Sequence, residues 1–168
     1  MWEVWVQMVG RHDALTAWAA IALADDIGGD FAVSGRALAS CGGVARRFDL
    51  RGERGGVLLS DDYAHHPTEI SSTFEAIRSG WPTRRLIVIY QPHRFTRMRD
   101  LFEDFSEILS YADRLIVLDV YPAGEDSIPG ADGRSLCRAI RSRGKVDPIF
   151  LENKESIFDV LPDVVEDN

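Results

Sequence analysis

The hydrophobic and polar positions fall into short periodic segments punctuated by glycine and proline. Trp2, Val4, Val6 and Met8 alternate with Glu3, Trp5 and Gln7, which predicts a strand ended by Gly10. Asp13 is a candidate N-cap for a helix running to about Asp26. Leu15, Trp18, Ala19, Ala22 and Leu23 form its predicted apolar stripe, and Gly28-Gly29 stops it. Phe31 to Cys41 reads as a second, shorter helix ended by Gly42-Gly43. Arg47 to Gly52 and Gly56 to Leu59 read as a strand pair around the turn Glu53-Arg54-Gly55-Gly56.

Further along, Pro67 suits the first position of a helix that buries Ile70, Phe74 and Ile77 and ends at Gly80. Leu86 to Tyr90 is continuously apolar, the pattern of a strand covered on both faces. Thr96 is placed to cap one long helix carrying Met98, Leu101, Phe102, Phe105, Ile108 and Leu109 at a helical period. Leu115 to Val120 predicts another buried strand, and Tyr121 to Gly133 a long loop. A helix over Arg134 to Arg143, a strand over Pro148 to Leu151 and a helical turn over Ser156 to Leu161 follow. From residue 57 onward strands alternate with helices. The expected fold class is therefore α/β, a Rossmann-like, mostly parallel sheet with flanking helices. Residues 1 to 43 supply a strand and two helices with no mate in that alternation, and read as the tail of another domain.

Composition changes this picture little. The 168 residues, 45% hydrophobic and 27% charged, suit one soluble domain, or one domain with an appendage. A net charge of −8 argues against a nucleic-acid-binding face. The longest apolar run, Trp18 to Ala24, is too short to span a bilayer, and no leader pattern precedes it, so no membrane partner is expected. Cys41 and Cys137 stand far apart without a C-x-x-C partner. Both are expected to be buried small hydrophobes, in keeping with a reducing cytoplasm.

Candidate chemistry gathers in two loops, each after a predicted strand. In open α/β sheets the ligand crevice lies at the carboxyl ends of the strands. If the strands ending near Leu59 and Tyr90 are neighbours, both loops face one crevice. The second loop carries Arg94 and Arg97 at a helix start, an arrangement suited to a carboxylate; spacing alone fits solvated surface arginines equally well. Arg99 points elsewhere and is expected to pair with Glu103. In the first loop, Asp61 and Asp62 can accept from a ribose or an ammonium group, or simply form the turn. Tyr63 and His65 are candidates to contact a small substrate, and His65 can take a proton from an amine. His66 reads as a capping or packing residue. No metal site is expected from His65, His66 and His93, since nothing resembles H-E-x-x-H.

Four stretches give the chain a resemblance: Gly10-Arg11-His12-Asp13-Ala14-Leu15, Arg46-Arg47-Phe48, Asp61-Asp62-Tyr63-Ala64-His65-His66-Pro67-Thr68-Glu69, and Gln91-Pro92-His93-Arg94-Phe95-Thr96-Arg97. Tyr121-Pro122-Ala123-Gly124-Glu125 and Ile128-Pro129-Gly130-Ala131 add to it. Nearly end to end, the chain resembles the Mur ligases of peptidoglycan synthesis. The resemblance implies that residues 1–43 are the end of a central ATP-binding domain. It makes residues 44–168 a C-terminal amino-acid-binding domain lacking its last segment. No G-x-x-x-x-G-K-[ST] occurs, so the implied ATP and Mg2+ would be held mainly by a part of the central domain outside this chain. No ligase activity is expected of the chain by itself.

The implied reaction joins L-alanine to UDP-N-acetylmuramate through an acyl phosphate. By resemblance Arg94 and Arg97 hold the alanine carboxylate, while Tyr63, His65 and His93 line its pocket. Arg47 and Asp62 would meet a nucleotide phosphate and ribose, and His12 and Asp13 the adenine. Asp13 and Thr16 stand where the family typically has amides, and a carboxylate at Asp13 opposes the adenine N7 acceptor. Ala64 replaces a common glycine, which matters only if the backbone there needs positive φ. Two alternatives stay open: attachment of a recycled peptide to the same sugar, and an amino-acid-binding module without catalysis.

Overall fold

The computed structural model describes residues 3–7 and 10–166. They fall into two compact units, one made of the residues up to 64 with 71–82, the other of 65–70 with 83 onward.

The first unit begins with two helices, α1 (Arg11–Asp26) and α2 (Phe31–Ser40). Gly10, at φ 119°, caps α1, so Asp13 lies inside the first turn and not at the cap. Its carboxylate still stands near the positive end of the helix. The buried residues of α1 are Ala17 and Ile21, one turn apart. The predicted stripe is wrong: Leu15, Trp18 and Leu23 are 58%, 52% and 70% exposed. Periodicity locates an apolar stripe but does not say which of two overlapping stripes meets a neighbour. Asp30 caps α2, its Oδ1 accepting from the Val33 N–H at 2.9 Å. The predicted N-terminal strand is not formed: Glu3 to Val6 pair with no strand among the described residues, and Trp2 and Met8 lie outside the described residues.

A hairpin follows, β1 (Asp49–Arg54) against β2 (Val57–Asp61). Arg54 pairs directly with Val57, leaving Gly55 and Gly56, at φ 59° and 79°, as a two-residue turn of the type I′ hand. The turn is therefore tighter than predicted. The first strand starts later than predicted because Arg46 and Phe48 take left-handed backbone, φ 60° and 47°, which extended pairing cannot accommodate. Phe48 is buried, its ring 6.1 Å from that of Trp81. The helix α3 (Pro67–Gly80) gives its first turn to the second unit and the rest to the first.

The second unit holds the parallel sheet. Its strands are β3 (Ile87–Tyr90), β4 (Arg114–Leu118) and β5 (Ile149–Leu151), in the order β3-β4-β5 with both pairings parallel. Between β3 and β4 run α4 (Phe95–Asp100) and α5 (Phe102–Leu109), and between β4 and β5 runs α6 (Gly133–Ser142). A 3-10 turn (Lys154–Ser156) leads into α7 (Ile157–Glu166). This is the expected α/β class. The core is β4 with the inner faces of α5 and α6: Leu115, Ile116, Val117, Phe105, Leu109, Leu136 and Ile140 are each 1% exposed or less. Two-sided cover belongs to this central strand. The run predicted to have it, at β3, leaves Ile89 43% exposed.

Three further expectations change. Among the described residues β2 pairs with β1 and not with β3. The long helix after β3 breaks at Leu101 (φ −121°, ψ 25°), which separates α4 from α5. Arg99 bonds Asp100 at 2.7 Å, while Glu103 receives Arg143 at 2.9 Å. Arg143 also donates to Ser106 Oγ at 3.0 Å and so ties the end of α6 to α5. Cys137 is buried and its thiol is pushed up to about 11 by desolvation, whereas Cys41 is only half-buried. Among the described residues no helix is long and apolar enough to cross a membrane.

Candidate functional site

In the second unit, two loops leave the carboxyl ends of adjacent parallel strands and are stitched together. The Tyr121 N–H donates to the Pro92 carbonyl at 2.8 Å, and the Arg94 N–H donates to the Tyr121 carbonyl at 2.9 Å. His93 and Tyr121 thus form one parallel bridge beyond the sheet. Their rings stack, with centroids 5.5 Å apart and planes 19° from parallel. Arg94 caps α4 with φ 71° and ψ 133°, a left-handed backbone that non-glycine residues avoid. The Thr96 cap predicted from the sequence is absent because Thr96 lies one residue inside the helix.

His65 enters this unit from the loop before α3. Glu69 holds that loop: one carboxylate oxygen accepts from the His65 N–H at 3.0 Å and from the His66 N–H at 3.1 Å. His66 Nδ1 accepts from the Thr68 N–H at 3.3 Å, so His66 is a capping residue, as expected. The His65 ring lies 6.2 Å from that of His93, and its Nδ1 is 3.7 Å from Glu69. The Ala64 substitution is harmless, since its backbone is not at positive φ.

The two arginines are held differently. Arg97 donates to the His93 carbonyl at 3.2 Å and lies 3.3 Å from His93 Nδ1. A guanidinium has only donors, so Nδ1 accepts and the neutral ring carries its proton on Nε2. Desolvation, then the positive charges of Arg97 and Arg94, then His65, push the His93 pKa below its ordinary value, against a weaker opposing pull from Glu125. Arg94 has a half-exposed side chain whose partner is Glu125, at 3.7 Å.

Glu125 was quoted in the sequence only as part of a stretch, with no role. Its Oε2 accepts from the Thr96 N–H at 3.0 Å and its Oε1 from the Thr96 hydroxyl at 2.7 Å. These bonds, with Arg94 contributing, hold its pKa below the usual carboxylate value. The start of α4 is therefore occupied by the chain's own carboxylate. An acidic residue in a Gly/Pro-rich loop after a buried strand was the available signal, but its partner lies 29 residues away. At the end of β3, Tyr90 is 6% exposed with a hydroxyl that has no hydrogen-bond partner among the described residues.

The remaining candidates belong to the first unit. Tyr63 lies under Arg46, 4.6 Å from guanidinium carbon to ring centroid, and its N–H donates to the Arg46 carbonyl at 2.7 Å. Asp61 faces Arg46 at 3.7 Å. Asp62 accepts from the Ala64 N–H at 3.2 Å and from the Thr73 hydroxyl at 2.5 Å, so it does form the turn. His12 lies 3.7 Å from Asp13. Burial raises the Asp13 pKa, with His12 opposing, Asp62 reinforcing and Arg47 opposing. His12, Asp62 and Arg47 thus all act electrostatically on Asp13. A cleft of about 400 Å³ opens beside His12, lined also by Gly10, Arg11, Leu15, Glu75 and Ala76 among others. That is within the usual size of a small-molecule site. Among the described residues no three His, Cys, Asp or Glu side chains converge to hold a metal ion.

A parallel three-stranded sheet with flanking helices, and with arginine and histidine side chains gathered beyond its strand ends, has the α/β architecture in which ligands commonly bind at the carboxyl ends of the strands. The chain belongs to the Mur ligase family: the family's glutamate ligase domain matches residues 46–168. It is 51% identical over 168 residues to UDP-N-acetylmuramate–L-alanine ligase of Methylococcus capsulatus, covering 98% of this chain and 36% of that protein. The crystal structure of UDP-N-acetylmuramate–alanine ligase from Thermotoga maritima superposes with a TM-score of 0.78 at 30% identity, over 95% of this chain and 34% of that one. Folylpolyglutamate synthase of Mycobacterium tuberculosis, solved with ADP and AMPPCP, shares the fold at a TM-score of 0.73 and 19% identity, over 98% of this chain and 36% of that one. The chain thus spans about a third of the length of the relatives it matches.

Proposed function

We propose that this chain supplies the amino-acid-binding part of an ATP-dependent ligase that joins L-alanine to UDP-N-acetylmuramate in peptidoglycan synthesis. The reading places it in the cytoplasm, in the pathway that underlies cell shape and division. The 51% identity to the Methylococcus ligase, which extends across both polar loops, carries this reading. In the reaction the amine of alanine attacks an acyl phosphate. A C–N bond forms, the C–O bond to phosphate breaks, and the amine loses a proton.

The residues divide the work. Arg94, half-exposed, and Arg97, fixed to His93, grip the alanine carboxylate. His93, neutral with its proton on Nε2, is a hydrogen-bond donor toward the substrate. His65, whose Nδ1 lies 3.7 Å from Glu69, is the proton acceptor for the amine. Tyr63, a candidate for the same pocket by resemblance, is engaged by Arg46 within its own unit. Arg47 and Asp62 are assigned to a nucleotide phosphate and ribose, and His12 and Asp13 to adenine. ATP would supply the phosphoryl group that activates the acid, and these four residues offer it an acceptor, a cation and a ring. In the complete ligase, Arg94→Ala is expected to raise the alanine KM by roughly tenfold to a hundredfold, the cost of an unpaired carboxylate. Unchanged alanine kinetics would refute the assignment. Assaying alanine against a tripeptide separates the two amine substrates that the resemblance allows.

A further inference from the structure

Two arginines at one strand end would by themselves favour a doubly charged ligand, yet the structure gives one of them an internal counter-charge. We infer that Glu125 is a specificity-determining residue that reduces the Arg94–Arg97 grip to a site for a single carboxylate, and so rejects amino acids with acidic side chains. The inference rests on the amino-acid site proposed above.

Three observations carry it. The carboxylate of Glu125 cannot swing away at small cost, because both oxygens accept from Thr96, at 3.0 Å from its N–H and at 2.7 Å from its hydroxyl. It lies within ion-pair range of Arg94, at 3.7 Å, yet beyond hydrogen-bonding distance. Arg94 therefore keeps its N–H donors for a ligand while its charge is largely balanced. Among the described residues Arg97 has no such counter-ion: its side chain meets the neutral His93. One incoming carboxylate is then matched by Arg97 with directional help from Arg94. A second carboxylate near Arg94 meets the like charge of Glu125, 3.7 Å from that guanidinium. Specificity arises from a like-charge penalty on the wrong ligand as much as from contacts with the right one.

The test uses the 168-residue chain and NMR shift titration with L-alanine and L-aspartate. Glu125→Gln is the informative variant, because its amide keeps one acceptor and one donor for Thr96 while removing the charge. The wild-type chain should prefer alanine, and the variant should lose about tenfold of that preference, mainly by gaining affinity for aspartate. An alanine-to-aspartate ratio unchanged by the substitution, with alanine still bound, would overturn the inference and leave the amino-acid site standing. Absence of alanine shifts at His65, His93 and Arg94 in the wild type would overturn both. A second comparison needs no variant: in the wild-type chain succinate should bind no more tightly than propionate. A strong preference for succinate would overturn the inference even if Glu125→Gln failed to fold.

Discussion

At the residue scale, the site's acid–base character follows from which groups are forced to be neutral. His93 is desolvated and faces Arg97, Arg94 and His65, which together depress its pKa from 6.5. A folded-state value below the unfolded one means that the unfolded chain binds the proton first. The stabilisation from His93 is therefore complete above about pH 6.5 and is lost as pH falls toward the depressed value. Urea midpoints of the wild-type chain should decline through that window, and His93→Gln should flatten the decline. A ring-proton titration placing His93 at or above 6.5 would contradict the argument. The position of the arginine loop at a strand end was legible in the sequence, because the apolar run before it is a local signal, whereas spacing alone fitted solvated surface arginines equally well. Glu125 was not legible in that way: its meaning depends on a hydrogen bond to Thr96 that joins loops after two different strands.

At the scale of elements, the parallel strands and their helices were read correctly because apolar runs and helical stripes are local signals. What went astray depended on neighbours. The helix after β3 carries an uninterrupted period in its sequence, yet breaks at Leu101. The first helix has two competing apolar stripes, and packing selects the one through Ala17 and Ile21. The placement of β2 beside β1 instead of β3 likewise turns on pairing that no local pattern encodes. One close approach governs the start of α6: a Cβ at Gly133 would lie 2.6 Å from the Leu118 carbonyl oxygen and 2.8 Å from a ring carbon of Phe150. Both neighbours belong to strands of the parallel sheet, so the helix cannot yield without opening the core. Gly133→Ala is expected to destabilise the chain by about 1–3 kcal/mol, read as a lowered urea midpoint with an unchanged slope.

At the scale of the whole molecule, the family assignment and the absence of a G-x-x-x-x-G-K-[ST] stretch lead to one expectation. The purified 168-residue chain should release no phosphate from ATP above background in a colorimetric assay, and measurable turnover would show that activating groups had been overlooked. The two compact units have a consequence for anyone dissecting the protein. Neither is a continuous stretch of chain: residues 65–70 belong with 83 onward, and 71–82 with the N-terminal residues. Cutting the gene at residue 83 would keep every strand of the parallel sheet and discard His65 and Glu69. Cutting at residue 65 would keep them but strip 71–82 of the residues they pack with. Protease nicking or split-protein reassembly should therefore succeed only with breaks that respect this interleaving, such as within the exposed Gly55-Gly56 turn, where the chain is severed but both halves of the hairpin remain to pair.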